Sequence, residues 1–469
     1  MRPALQILLA LAAASVASAA EPPRTMRVDY YHTGNATEER FSLDRVVVEP
    51  LPWPGNPTRP IDGTDRGKFF FEVADAASGR TLYSRGFSSI YGEWETTAEA
   101  KAMNRTFSES LRFPAVDRPV RIVVKKRDAQ NAFHDVWTFT VDPSSMFVER
   151  MGAAPRSVGP LYRLHVAGEP PDKLDLLILG DGYTEAERGK FQRDAKRLTD
   201  ILLGTEPFKS RQADINVWGL SPAAEESGVL RPSQHIYRRS PVGSTYDAFG
   251  TERYVLTFEN RVFRDIAGHA PYDVVEILVN AKTYGGGGIF NLYSTVAADS
   301  EWAPYIFVHE FGHHIAGLAD EYYTSDVAYL PPTHPVEPWE PNATALLDPA
   351  HLKWKDLVTP GTPIPTPWPK TEFEQFTREV QDRRKAIRAA DGPETDMDAL
   401  FREEQARDTT LLGTGPYAGR VGAFEGANYE ARGYYRPQAD CIMFTRDNVP
   451  FCAVCRRAIE TIIDLYSRR

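Results

Sequence analysis

The chain has 469 residues, of which 42% are hydrophobic and 11% aromatic, and its formal net charge at pH 7 is −10. This length allows two or three domains with sizeable cores. The acidic balance, without a compensating tract of lysine and arginine, argues against a general nucleic-acid-binding protein and against a protein that binds anionic membranes.

The first 20 residues have the pattern of a secretory signal peptide. Arg2 precedes an apolar run at 5–14, and small residues follow up to Ala20. The apolar run is too short to span a membrane, and no other stretch of the sequence approaches that length. We therefore predict cleavage after Ala19 or Ala20, no membrane span, and a mature protein that is secreted, periplasmic or held at the cell surface.

Residues 21–150 are predicted to form a β-sandwich. Short alternating or β-branched runs recur between clusters of proline, glycine and asparagine, at 26–31, 44–49, 68–73, 81–84, 120–126 and 132–141. No catalytic cluster is evident there, so a binding or positioning module is expected. Trp94 has two interpretations, as an aromatic that stacks on carbohydrate or, more commonly, as a half-buried packing residue.

Residues 151–168 read as a linker rich in proline and glycine, and residues 169–469 as a second domain. Strand-like runs at 174–179, 215–220 and 274–279 alternate with helical patterns at about 184–203 and about 254–266. Thr184 and Glu187 form a capping box before the first of these helices. The alternation of strands and helices predicts an α/β layer.

Four consecutive glycines occupy 285–288 and are expected to be flexible backbone beside a cleft. The residues that follow, 289–296, are predicted to form a strand. Its exposed edge would pair with an extended peptide by adding a strand to the sheet.

The chemistry is concentrated in an HExxH motif at 309–313. On an α-helix two residues four positions apart leave the same face, so His309 and His313 can bind one metal ion. Zn²⁺ accepts neutral imidazole nitrogens, and a catalytic zinc keeps one position for water. Glu310 then lies beside that water and can act as its general base. Gly317 is the predicted end of this helix.

A charge-dense stretch at 371–408 has apolar residues at helical spacing and a break at Gly392 and Pro393. This pattern predicts a helical hairpin inserted into the second domain. Because charge runs of this kind are usually solvated, we expect a solvent-exposed hairpin rather than a binding site.

The three cysteines of the chain, Cys441, Cys452 and Cys455, fall within fifteen residues of one another. In an oxidising compartment the simplest interpretation is one disulfide from Cys441 to Cys452 or Cys455, with one spare thiol. A redox-active Cys-x-x-Cys pair and half of a zinc knuckle are the alternatives.

Longer motifs carry a family resemblance. They are HEFGHHIAGLADEYY at 309–323, EPWEPNAT at 337–344, GAFEGANY at 422–429, and YYRPQADCIMF with FCAVC at 434–455. Over residues 170–469 the chain resembles the IgA-peptidase family of metzincin-like zinc metallopeptidases, and its β-rich part resembles that family's usual leading domain. The resemblance implies an α+β protein in which a β-sandwich precedes a zincin-like α/β catalytic domain. It also implies a zinc endopeptidase that acts on proteins or glycoproteins.

The resemblance implies roles for individual residues. His309 and His313 would be ligands of one catalytic Zn²⁺, Glu310 the general base, and Met443 the methionine of a Met-turn beneath the metal. In HExxHxxGxxH the third ligand lies ten residues after the first histidine. Here the glycine and the acid, Asp320, each come one residue later. Asp320 is the predicted third ligand, and Glu321 is its rival.

An oxyanion stabiliser is also required, because the tetrahedral intermediate develops negative charge. The candidates are Tyr429, Tyr434, Tyr435 and Arg436, and the sequence does not rank them. Glu425 has two interpretations, as a ligand of an additional structural cation or as a hydrogen-bonded wall residue.

Two other functions remain open at this point. One is a secreted adhesin or glycan-binding protein with a structural metal site, and the other is a zinc amidase with a non-peptide substrate. The intact Glu310 argues against the first, because a structural zinc needs no general base. The sequence predicts neither the natural substrate nor the oligomeric state.

Overall fold

The computed structural model describes residues 22–325, 327–330 and 335–468, so the predicted signal peptide at 1–20 lies outside the described residues. The described chain is a mixed α+β protein in which a β-rich part precedes a part with helices and a central sheet. Within the described ranges, no helix has the length and apolar character needed to cross a bilayer.

The N-terminal part consists of eight strands and one short helix, α1 at Ile90–Trp94. The strands are β1 Arg24–Gly34, β2 Glu39–Pro52, β3 Phe69–Asp75, β4 Thr81–Phe87, β5 Arg105–Pro114, β6 Val120–Arg127, β7 Phe133–Val141 and β8 Val148–Arg150. They form two four-stranded sheets, in the orders β5-β1-β2-β8 and β4-β3-β6-β7. Side chains from both sheets, such as Val28 and Phe71, share one core, so the two sheets face each other.

The sequence prediction missed β5, although its residues alternate between inside and outside. Phe107, Leu111 and Phe113 are buried, but so is Glu109, which interrupts the apolar pattern. The Glu109 carboxylate is satisfied by the hydroxyl of Tyr30, which donates to it at 2.9 Å. A buried acid of this kind is stable only because a distant strand supplies its partner.

Trp94 is a packing residue and does not present a stacking surface. Its side chain is fully buried, and its indole nitrogen donates to the carboxylate of Glu99 at 2.6 Å. The interpretation of Trp94 as a carbohydrate-binding aromatic is therefore wrong, because a sugar has no access to the ring.

The described residues of the second part form ten strands and six helices. The strands are β9 Tyr162–His165, β10 Leu174–Asp181, β11 Ile215–Leu220, β12 Ser244–Thr245, β13 Leu256–Thr257, β14 Val274–Val279, β15 Gly286–Ile289, β16 Tyr293–Ala297, β17 Phe424–Ala427 and β18 Glu430–Arg436. The helices are α2 Arg188–Gly204, α3 Asn260–Ala267, α4 Ala303–Ala316, α5 Lys370–Ala389, α6 Glu394–Gly413 and α7 Ala453–Tyr466.

Six of these strands form a mixed sheet in the order β15-β16-β14-β10-β11-β9. The four central strands are parallel, and the two edge strands, β9 and β15, are antiparallel to their neighbours. β10 and β14 are buried at every residue, as expected for parallel strands covered on both faces. Helices α2 and α4 pack against one face. Helix α3 and Tyr91 of the N-terminal part pack against the other.

Two predicted elements have the wrong boundaries. The helix expected at about 254–266 begins only at Asn260, because the residues before it pair with the glycine run: the amide of Val255 donates to the carbonyl of Gly286 at 3.2 Å. The prediction that residues 289–296 form an exposed edge strand is also wrong. The edge is formed by β15, and β16 has β14 and β15 as neighbours on its two sides.

The helical hairpin is present as α5 and α6 and extends five residues beyond the predicted end. It is exposed on one face only. Phe373, Val380, Leu400 and Phe401 are buried and belong to the same core as α4. The prediction of a solvated insertion was therefore incomplete, because the apolar stripe of the hairpin packs into the core around α4.

The N-terminal part braces the second part directly. The buried guanidinium of Arg66 donates to the carbonyls of Ala316, at 3.0 Å, and Ala458, at 2.8 Å. It therefore joins the end of α4 to α7. Nearby, the side-chain amide of Asn291 donates to the carbonyl of Gly86 at 2.9 Å. These contacts fix the position of the sandwich relative to helix α4.

Candidate metal centre

Helix α4 carries the HExxH motif, and local sequence determines where it begins and ends. Pro304 stands in its first turn, where a missing amide hydrogen is no loss. Gly317 ends it in a left-handed conformation, with φ of 59° and its amide donating to the carbonyl of His313 at 3.0 Å. A residue with a side chain would be strained at that φ, so the predicted helix end at Gly317 is where the structure has it.

Three potential ligand atoms meet just beyond this helix. The Nε2 atoms of His309 and His313 are 3.2 Å apart. Oδ1 of Asp320 lies 3.0 Å from the first and 3.2 Å from the second. Asp320 is 6% exposed, so water does not compete freely for this carboxylate. The three atoms thus form a nearly equilateral triangle.

Hydrogen bonds on the far side of each imidazole set its tautomer. Nδ1 of His309 lies 2.8 Å from the carbonyl oxygen of Ile442, and Nδ1 of His313 lies 2.5 Å from that of Leu318. Because a carbonyl only accepts, both Nδ1 atoms carry the hydrogen in the neutral rings. The Nε2 lone pairs therefore point towards each other and towards Asp320.

This arrangement suits a cation. When both imidazoles are neutral, buried Oδ1 of Asp320 has no hydrogen-bond donor among the described residues, and two lone pairs and a carboxylate oxygen face one another. Zinc binds such atoms at about 2.0–2.2 Å in a tetrahedron, which places ligand atoms roughly 3.3 Å apart. The edges of the triangle formed by His309, His313 and Asp320 are close to that length. The residues therefore fit a zinc ion.

The electrostatics of the pocket favour positive charge beside Asp320. Burial lowers the pKa of His313, but the Asp320 carboxylate outweighs this effect and raises the pKa to about 9. Burial raises the pKa of Asp320, yet the two imidazoles hold it well below its usual value. Burial also raises the pKa of Glu310, with the imidazoles opposing the rise. A raised pKa suits a carboxyl group that takes up and releases a proton.

Asp320 and Glu321 point to opposite sides, so only Asp320 reaches the histidines. The second oxygen of Asp320 accepts from the hydroxyl of Tyr429 at 2.5 Å. Glu321 instead accepts from the side-chain amide of Asn342 at 2.9 Å and lies 3.5 Å from the sulfur of Cys455. The two neighbouring acids therefore contact different groups.

The turn that contains Met443 supports both the helix and the acid. Met443 is fully buried, and its sulfur lies beneath Gly312, where an added Cβ would be 3.1 Å away. Its carbonyl accepts from the amide of Glu321 at 2.8 Å. The preceding carbonyl, of Ile442, accepts from His309. One turn therefore positions residues of α4 and of the segment after it.

The four oxyanion candidates lie in different places. Tyr429 and Tyr434 line the cleft beside Glu310, whereas Tyr435 and Arg436 are not among its lining residues. The guanidinium of Arg436 is buried, donates to carbonyl groups at 2.8 and 3.0 Å, and lies over the ring of an aromatic side chain. Arg436 is thus committed to the core.

Two neighbours of the site were not predicted. The ring of Tyr322 lies 6.3 Å from that of His309, and its hydroxyl accepts from Arg253 at 3.2 Å. Arg253 lines the cleft but is distant from the motif in sequence, so no local pattern pointed to it. Tyr322 directly follows Asp320 and Glu321 in the sequence, and this position could have identified it as a neighbour of the site.

The site opens into a cleft of about 680 Å³ between the two parts of the protein. Lys68, Glu93 and Arg127 line it from the N-terminal part, and Glu310 and His313 from the second part. A cavity of this size is typical of a ligand-binding site. The sandwich therefore contributes one wall of the cleft.

Glu425 is a wall residue and is not available for a second cation. Its carboxylate pairs with the ammonium group of Lys370 at 2.8 Å and accepts from the amide of Gly433 at 3.3 Å. The interpretation of Glu425 as a cation ligand is therefore corrected, because a lysine already neutralises its charge.

The glycine strand β15 lies directly against α4, which explains its composition. An added Cβ at Gly288 would overlap the carbonyl oxygen of Glu310 and the side chain of His313. We expect Gly288→Ala to push the helix away and lower the free energy of unfolding by about 1–3 kcal/mol. Denaturant unfolding, with zinc content measured on the same samples, provides the test.

The matched control for Gly288 is Gly63, where an added Cβ meets no atom within 4 Å. Gly63→Ala should change the free energy of unfolding by less than about 0.5 kcal/mol. Equal effects at the two positions would contradict the close packing of β15 against α4.

Two imidazoles, an acid and a neighbouring carboxylate at the floor of an open cleft define the class of metal-dependent hydrolases. Residues 163–463 match the family described as IgA Peptidase M64, and residues 19–138 match the family described as Peptidase M64 N-terminus. The chain therefore belongs to the IgA peptidase M64 family and is a metallopeptidase. A search of curated proteins found no match. Membership of a peptidase family argues against a glycan-binding adhesin as its principal function.

Proposed function

We propose that the protein is a secreted, zinc-dependent endopeptidase that cleaves protein or glycoprotein chains in the cleft between its two parts. The observation that carries this proposal is the triangle of His309, His313 and Asp320, with Glu310 beside it at the floor of the cleft. Secretion rests on the signal-peptide pattern of the first 20 residues.

The residues divide the work as follows. His309, His313 and Asp320 hold the zinc ion. Bound there, zinc would supply a Lewis acid that acidifies a water molecule and polarises the peptide carbonyl. Glu310 accepts the proton of the attacking water and returns it to the leaving amine. The hydroxyl of Tyr429 donates to Asp320 and so orients that ligand.

Tyr434 is the oxyanion candidate that retains a usable donor. Its hydroxyl accepts from the amide of Val336 at 3.0 Å, and no acceptor for its own hydrogen is found among the described residues. Because Tyr434 lines the cleft, that hydrogen can be donated to a developing oxyanion. Tyr429, by contrast, donates to Asp320.

The catalytic part is proposed to be metzincin-like. Three features support this: a helix that ends at the left-handed Gly317, an acidic ligand just beyond it, and Met443 beneath the helix. Such an arrangement places the third ligand, Asp320, on an irregular segment. The position of this ligand therefore depends on the Met443 turn, which contacts that segment.

Removal of the metal tests this function. Incubation with a strong chelator should abolish cleavage of a mixed panel of peptides and glycopeptides, and added Zn²⁺ should restore it, because His309 and His313 alone supply no Lewis acid. Circular dichroism before and after chelation would show that the fold persists. Cleavage that is insensitive to the chelator would contradict a zinc mechanism. Hydrolysis of small amides without any peptide cleavage would favour an amidase.

A further inference from the structure

A second cluster of metal-ligating side chains lies on the opposite side of the segment that carries Asp320. It consists of Glu321, Cys441, Cys452 and Cys455, and one ligand atom from each lies within 4.8 Å of all the others. All four residues are buried, and Glu321, Cys441 and Cys455 are fully so. None of the four takes part in the proposed peptide cleavage.

The three thiols are free, although the sequence predicted one disulfide among them. The sulfur atoms of Cys441 and Cys455 are 3.9 Å apart, well beyond the roughly 2.05 Å of a disulfide bond. The cysteines thus converge as a group of three instead of forming one pair and a spare thiol.

The spacing matches a tetrahedral zinc site. With Zn–S at about 2.3 Å and Zn–O at about 2.1 Å, sulfur atoms lie roughly 3.8 Å apart, and sulfur and oxygen roughly 3.6 Å apart. The observed distances are 3.9 Å between the sulfurs of Cys441 and Cys455, and 3.5 Å from the sulfur of Cys455 to Oε1 of Glu321. These two distances fit one shared ion, and the sulfur of Cys452 lies within 4.8 Å of the other ligand atoms.

Backbone amides donate to two of the three sulfur atoms, whereas burial raises the pKa of the Cys441 and Cys455 thiols. The amide of Cys452 donates to the sulfur of Cys441 at 3.2 Å, and the amide of Cys455 donates to the sulfur of Cys452 at 3.4 Å. Cys452 is also the N-cap of α7, where the helix dipole places partial positive charge. Hydrogen bonds and positive potential both stabilise the charged form of a thiol.

The Glu321 carboxylate provides the independent sign of a missing ligand. It is fully buried. Oε1 accepts from the side-chain amide of Asn342 and from the Cys455 thiol, and Oε2 has no hydrogen-bond partner among the described residues. A buried carboxylate with an unpartnered oxygen is costly unless a cation compensates it.

The net charge of such a site is also acceptable. Three thiolates, one carboxylate and one Zn²⁺ sum to the same charge as a zinc site with four cysteines. The buried guanidinium of Arg436 interacts electrostatically with Glu321 and Cys441 and offsets part of that charge.

We propose that Glu321, Cys441, Cys452 and Cys455 bind a second zinc ion in a closed, structural site. Binding displaces the thiol protons to solvent and involves no oxidation or reduction. Because protein atoms fill all four positions, no position remains for a catalytic water. The role of this ion is to fasten three segments together.

These three segments are the ones that build the catalytic centre. Glu321 directly follows Asp320, Cys441 opens the turn that contains Met443, and Cys452 and Cys455 begin α7. An ion that joins them holds Asp320 towards His309 and His313. It also explains why Glu321 faces away from the catalytic metal.

The test uses the full chain, purified under reducing, anaerobic conditions. Wild-type protein should contain about two equivalents of zinc. Replacement by Co²⁺ should give a thiolate-to-cobalt charge-transfer band, which a site made of histidine and carboxylate cannot produce. After chelation and denaturation without reductant, all three cysteines should react with a thiol reagent.

Variants separate the two ions. Glu321→Gln and Cys455→Ser should reduce the zinc content to about one equivalent and weaken or abolish the charge-transfer band. Asp320→Ala should remove the other ion and keep the band. Glu109→Gln, a buried carboxylate of the N-terminal part, is the control and should retain both ions.

A single equivalent of zinc without a thiolate band would overturn the second site. So would the loss of two reactive thiols in the native protein, which would reveal a disulfide. If Cys455→Ser does not fold, the wild-type cobalt spectrum decides alone. The second site does not depend on Glu310, so inactivity of Glu310→Gln and absence of the thiolate band are separate results.

Discussion

Glu310→Gln is expected to abolish peptide hydrolysis while leaving zinc bound. Glutamine has nearly the size of glutamate but cannot accept a proton from the attacking water. Loss of a general base typically costs about 10²–10⁴-fold in rate. The zinc ligands His309, His313 and Asp320 are untouched, so the zinc content should equal that of the wild type. Measured kcat/KM and metal content on the same preparation provide the test.

The matched control for this variant is Glu301→Gln, because Glu301 is an exposed acid that stands just before α4 and pairs with Arg402. That substitution should leave kcat/KM within about twofold, since an exposed ion pair contributes little. Full activity in Glu310→Gln would refute the proposed proton transfer. Loss of zinc from Glu310→Gln would show that Glu310 holds the metal itself.

The second large effect is expected at Asp320. Asp320→Ala removes one of the three converging ligand atoms and leaves the two imidazoles without an anionic partner. Loss of an outer-shell hydrogen bond alone costs about 10–100-fold in metal affinity, so loss of this ligand should cost more than about 100-fold. Titration with zinc in a competing chelator measures the affinity, and peptide cleavage should fall in parallel.

Tyr429→Phe is the graded comparison, because it removes only the hydroxyl that donates to Asp320. Its zinc affinity should fall about 10–100-fold, less than for Asp320→Ala. Glu321→Gln should retain the ion at His309 and His313, as judged by the cobalt bands that remain when the thiolate band is weakened or lost. If Asp320→Ala keeps that ion and Glu321→Gln loses it, the third ligand would be Glu321.

The sequence was sufficient wherever a pattern depends on neighbours along the chain. Helix α4 was predicted from two histidines four residues apart, the apolar residues before them and the glycine at 317. All of these features act within one or two helical turns. The capping box of Thr184 and Glu187 is present in the structure for the same reason. The runs at 174–179 and 274–279 predicted strands, and the structure has them as β10 and β14, buried at every residue.

The structure corrected the predictions made from the sequence where the partner of a residue lies far away along the chain. The strand β5 was not predicted because the charged Glu109 interrupts its apolar pattern. Glu109 is buried because the hydroxyl of Tyr30 donates to its carboxylate. Gly288 belongs to the edge strand β15, which was not predicted because glycine is uncommon in strands. The missing side chain at Gly288 lets α4 pack closely against this strand. Glu425 was open to two interpretations until Lys370 was found beside it.

The sequence by itself determined the helix with His309, Glu310 and His313, because helical periodicity fixes which side chains share a face. It did not determine which of the two neighbouring acids joins them. In an irregular segment, the direction of a side chain depends on the groups that pack on each side of it. Only the tertiary structure places the Met443 turn and the three cysteines beside these two acids. The Met443 turn orients the segment, and the cysteines face Glu321.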